Sequence, residues 1–67
     1  MPARVVFSGG TEVAVTAGVE ELEGELRSNA MVPAERFVGF RGDDAVAGGR
    51  VLINPATVAY VEAIDAP

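Results

Sequence analysis

The chain reads as an α+β domain, β-β-α-β-β(-β), with one helix packed on a mainly antiparallel sheet. Three observations predict this. Alternating β-branched residues flank a Gly-Gly step near the N-terminus, an apolar stripe recurs at helical spacing in the middle, and the densest apolar run, Arg50 to Ile64, is broken once by Asn54-Pro55. At 67 residues, 49% of them hydrophobic and 22% charged, the composition is that of a folded chain, and residues 1–67 are expected to form a single domain.

Val5-Val6-Phe7 and Val13-Ala14-Val15 flank Ser8-Gly9-Gly10-Thr11 as the arms of a hairpin. Loop length decides its register. A two-residue Gly9-Gly10 turn mixes charge into both faces, whereas a three-residue Ser8-Gly9-Gly10 loop with Gly10 left-handed puts Val5, Phe7, Val13 and Val15 together. The second register is preferred. It leaves Arg4, Ser8, Glu12 and Thr16 on the other face, together with Val6 and Ala14, so that face is expected to be only partly solvated.

A helix follows from about Gly18 to Asn29, because Val19, Leu22 and Leu26 form one stripe. Early glutamates suit its positive end, and Glu23 stands in the favourable i, i+4 order with Arg27. Gly24 lies off the stripe and reads as a surface position. Ala30 to Glu35 is expected to be a connection, since Pro33 ends helical continuation and biases Val32 towards extended geometry. Arg36 to Arg41 is the third strand, with Phe37 and Phe40 on opposite faces because an odd separation alternates sides. Gly42 to Gly49 is expected to be an eight-residue loop. The opening Arg50 to Ile53 and the closing Val58 to Ile64 are strands joined by the turn-initiating Asn54-Pro55. Four residues separate those arms, too few for a parallel crossover, so a hairpin or a sharp corner is expected.

Composition narrows function more than motifs do. With no cysteine and no histidine there is no disulfide, no thiolate site, and neither the commonest metal ligand nor the commonest general base. Ser8 and Ser28 therefore lack an activating partner. The helical glutamates read as a solvated face, Asp43-Asp44 as a polar loop tip, and Ser8-Gly9-Gly10-Thr11 as a turn without the lysine or following helix of a phosphate cradle. Arg41-Gly42-Asp43 matches a cell-adhesion tripeptide, a three-letter pattern that arises often by chance. No enzyme, cofactor or metal is expected. The net charge of −5, with all five basic residues arginine, disfavours a polyanionic partner. No run approaches 18 apolar residues and Met1-Pro2-Ala3-Arg4 lacks the pattern of a signal peptide, so a cytoplasmic location is expected, in a bacterium of GC-rich coding.

The order hairpin, helix, strand, loop, strand, with a glycine bulge in the first hairpin, a Val-x-x-Leu helix and Pro33 before the third strand, resembles the β-grasp order of ubiquitin-like domains. That resemblance implies a last strand parallel beside the first. The ubiquitin-like carriers act through a C-terminal Gly-Gly, where this chain has Ala63-Ile64-Asp65-Ala66-Pro67. Gly49-Arg50-Val51-Leu52-Ile53 followed by Val58-Ala59-Tyr60-Val61-Glu62 is similar to the ending of small uncharacterised actinobacterial proteins built as hairpin, helix, hairpin. A strand, a short Asn-Pro helical turn and another strand also looks like the last corner of SH3-like and Sm-like small barrels, and the Sm-like proteins form RNA-binding rings.

A domain this small buries only about 60% of its unfolded surface and its core rarely supplies more than about 3–5 kcal/mol. With disulfides and thiolate metals excluded, oligomerisation is the remaining support. The expected function is that of a non-enzymatic protein-protein interaction or assembly module, a homo-oligomer or a binder of another protein. Val6, Phe37, Phe40 and Tyr60 are the contact candidates. The alternative is a small nucleic-acid-binding barrel using Arg36, Arg41 and Arg50, with an aromatic ring available for stacking.

Overall fold

The computed structural model describes residues 1–66; Pro67, last of the tail, lies outside the described residues. Five strands and one helix follow in the order β1 (Ala3–Phe7), β2 (Glu12–Val15), α1 (Val19–Leu26), β3 (Val32–Arg41), β4 (Asp44–Ile53) and, after a single 3-10 turn over Pro55–Thr57, β5 (Val58–Ala63). The strands form one antiparallel sheet ordered β4-β3-β2-β1-β5. The α+β class and the element order are those expected.

In the first hairpin Ala3 faces Val15, Arg4 faces Ala14, Val5 faces Val13 and Val6 faces Glu12. This is the register of the three-residue loop. Phe7 N–H donates to the Thr11 carbonyl and Gly10 N–H to the Phe7 carbonyl, both at 2.9 Å, and Gly10 takes φ 93°, which a Cβ would strain. Ala3, Val5 and Val15 are fully buried, with Phe7 and Val13 packed beside them.

The helix turns Leu22 into the same core and lays Val19 and Leu26 along its margin. Glu23 and Arg27 pair at 2.7 Å. A Cβ on Gly24 would meet nothing within 4 Å, as a surface position requires. The helix is shorter than the expected span, and Asn29, at φ 61°, lies beyond its end.

Two expectations fail along the second hairpin. Residues 32–35 belong to β3 rather than to a connection, and residues 44–49 belong to β4 rather than to a loop. Pro33 does set extended geometry, but inside a strand: it faces Leu52, and the other edge of β3 pairs with β2 only at Val15 and Arg36. At the far end Arg41 faces Asp44, so Gly42 and Asp43 alone make the turn. Gly42 has φ 63°, the conformation of the first central residue in a two-residue II′ turn. Between these ends the hairpin carries two register shifts that cancel. Gly48-Gly49 oppose the single Arg36, and then Val38 is the extra residue on β3.

The Asn54 side chain accepts from the Ala56 N–H at 3.1 Å, and the Thr57 hydroxyl donates to the Asn54 carbonyl at 3.0 Å. This is the corner arrangement. β4 and β5 lie at opposite edges of the sheet, and β5 runs antiparallel to β1 with Ala3 opposite Ala63 and Val5 opposite Val61. It is beside the first strand but not parallel to it, as the β-grasp order would have it. The Ser8 N–H donates to the Thr57 carbonyl at 2.8 Å, tying the corner to the first hairpin's loop. Val32 and Ile53 face each other across β3 and β4 and complete the core with Ala3, Val5, Val15 and Leu22.

Candidate interaction surface

Of the four contact candidates, Tyr60 is placed most openly. It lies on β5 at 55% exposure, in the wall of an apolar groove of about 360 Å³ between β5 and α1, with Val19, Leu26, Val58 and Val61 also lining it and Glu23 and Arg27 at its rim. A second hollow adjoins it at Val19, lined by Met1, Thr16, Gly18, Glu20, Glu21 and Ala63.

Val6 has little surface to give. It shares the outer face of β1 with Arg4, as its register predicts, yet it is only 8% exposed because it sits between Glu12 and Tyr60 on the flanking strands. Arg4 is held there by Glu62 at 2.6 Å and Glu12 at 3.3 Å. The Glu62 hydrogen bond, aided by the charge of Glu12, raises the Arg4 guanidinium further above its ordinary value. Across the three strands the outer face is thus partly closed by an ion-paired triad.

Phe37 and Phe40 do not take opposite faces. Their rings meet edge to face, centroids 4.9 Å apart at 65°. The physical reason is the extra residue at Val38, which shifts the alternation by one and returns Phe40 to the side of Phe37. Both rings are half-buried against each other, and neither joins the core. Gly48 allows this geometry, because a Cβ there would overlap the Val38 side chain.

The arginines of the nucleic-acid alternative are all exposed but dispersed along the second hairpin. Arg41 is at the tip opposite Asp44, Arg36 is at the junction with β2, and Arg50 faces Glu35. None of the three makes an ion pair among the described residues. The tip itself combines Arg41 with Asp43 and Asp44, so it presents both signs of charge.

Residues not singled out from the sequence add more apolar surface than those that were. Leu52 is 66% exposed, Val38 60% and Met31 52%. Leu52 had a readable signal: it stands between Val51 and Ile53, both core-facing, so the period of two turns it outward. Val38 had none, because the bulge that exposes it is not encoded in the alternation.

Among the described residues no helix is long and apolar enough to cross a membrane. Compared with known family models, curated proteins and solved structures, the chain matches none.

Proposed function

We propose that this chain is a non-enzymatic protein-protein interaction module of the bacterial cytoplasm that associates with copies of itself. The observation that carries the reading is the disproportion between inside and outside. Among the described residues seven core hydrophobics are buried, the largest being leucine and isoleucine, while Leu52, Val38, Tyr60 and Met31 remain more than half exposed. A thin core with large apolar side chains left outside it is the balance of a subunit. Two sheet edges, β4 and β5, are also open, and an open edge is where another strand or chain adds.

Sedimentation velocity across a range of concentrations tests the reading. The expected result is a weight-average mass that rises with concentration towards a multiple of the 6.9 kDa chain. A mass fixed at one chain up to the highest attainable concentration rejects self-association. The dispersion of Arg36, Arg41 and Arg50 gives no observation in favour of the nucleic-acid alternative.

A further inference from the structure

We propose that the distal part of the second hairpin, Phe37 to Ala47, is a hinged arm that holds together as one unit and pivots on the rest of the molecule where Arg36 meets Gly48-Gly49. The inference stands on the fold and is independent of self-association. The core stops short of the arm. Val32 and Ile53 lie in it and Ala34 and Val51 pack against it, but no hairpin residue between Ala34 and Val51 does either. Residues 41–50 are exposed without interruption. The third strand stops at the same level. β2 meets β3 only at Val15 and Arg36, backed by the Thr16 N–H donating to the Glu35 carbonyl at 2.9 Å, so beyond Arg36 the sheet is two strands wide. A ten-residue strand spans about 33 Å, close to the molecule's longest extent of 34 Å, and the far half of β4 has only β3 to lie against.

The backbone at that boundary is built to bend. Glu35 faces Arg50 and Phe37 faces Ala47, which leaves Gly48-Gly49 opposite Arg36 alone. Gly49 takes φ 118°, which a Cβ would strain, and a Cβ on Gly48 would overlap the Val38 side chain. A bulge interrupts the ladder and bends its strand, and two successive glycines leave that bend without side chains to stiffen it.

Past the joint the arm has its own internal bonds. Phe37, Gly39, Phe40 and Arg41 face Ala47, Val46, Ala45 and Asp44 in turn, and Gly42 and Asp43 close the end. A hairpin with no third strand is marginal in water, and the edge-to-face contact of Phe37 with Phe40 gives this one an apolar contact internal to the arm. Pivoting at Gly48-Gly49 breaks none of these pairs and withdraws no side chain from the core. Units joined by so few residues move on the microsecond-to-millisecond scale.

Residual dipolar couplings of the backbone amides in the full chain test this, because they average the orientation of each N–H over that timescale. Amides of the body are expected to fit one alignment tensor and those of residues 37–47 a second, smaller by about a third, the loss of order that separates a flexible segment from a rigid one. Cross-relaxation between the Phe37 and Phe40 rings should persist. A single tensor for both parts overturns the hinge. Arm couplings that collapse towards zero with loss of the ring contact overturn it too, since they describe an unfolded hairpin. Deleting Val38 together with Gly48 removes one extra residue from each strand and leaves a continuous ladder with both phenylalanines on one face. There a single tensor is expected, with the amide shifts of Val5, Val15 and Leu22 unchanged as evidence of an intact body. Two tensors persisting in that variant would reject the joint at the bulges, and should the variant not fold, the tensors of the natural chain decide.

Discussion

Leu22 is the one helical side chain that reaches the fully buried core, at 1% exposure, and it seats α1 among Ala3, Val5, Val15, Val32 and Ile53 with Val19 and Leu26 packed at the margin. Leu22→Ala should therefore cost about 2–5 kcal/mol, from lost transfer energy and the cavity left behind. In a domain whose core supplies about 3–5 kcal/mol, that loss should leave the chain largely unfolded, read by urea denaturation with far-ultraviolet circular dichroism. Gly24→Ala, two residues away, should do the reverse. With open space at its Cβ it should stabilise by about 0.4–1 kcal/mol in the same titration. Arg4 contributes no pH dependence in the working range. Its pKa is raised, so the stabilisation from Glu62 and Glu12 is complete below the ordinary arginine value and is lost only as pH rises through the still higher folded one.

At the scale of elements, the second hairpin is where alternation breaks and where its consequence is measurable. The paired shifts at Gly48-Gly49 and Val38 bring Phe37 and Phe40 into edge-to-face contact. A double-mutant cycle of Phe37→Ala and Phe40→Ala should give a coupling of about 0.5–1.5 kcal/mol in urea unfolding, whereas rings on opposite faces would give none. The same hairpin shows what was legible in the sequence. The first hairpin's register followed from Val5, Phe7, Val13 and Val15 because only one loop length placed them together, and the corner followed from Asn54-Pro55 because its chemistry is local. Gly42 to Gly49 carries turn residues at both ends and so reads as a loop, yet from Asp44 onward its alanines and glycines, with little strand preference of their own, are held as a strand by pairing with β3, a tertiary effect. Pro33 correctly ends helical continuation and sets extended geometry, but its place inside a strand depends on a neighbouring edge left free there, and the sequence does not display edges. Of the contact candidates, Tyr60 is the one the structure leaves more than half exposed. The covering of Val6 was not legible, since it comes from two other strands, Glu12 on one side and Tyr60 on the other.

For the whole molecule, the self-association proposed above would join folding and association in one equilibrium. The seven buried core hydrophobics among the described residues are drawn from the helix and every strand except β5, and β5 is held mainly through its pairing with β1 and the tie from Ile64 N–H to the Pro2 carbonyl at 2.8 Å. Whatever covers the α1–β5 groove therefore stabilises the strand that the core reaches least. Binding to the folded form alone raises apparent stability with the logarithm of partner concentration, and in the self-association proposed above the partner is the chain itself. Tm should thus rise with protein concentration, in a thermal scan followed by circular dichroism from low to high micromolar chain. A Tm that is independent of concentration in the natural chain would mean that the thin core suffices alone, and would separate the fold's stability from its surface.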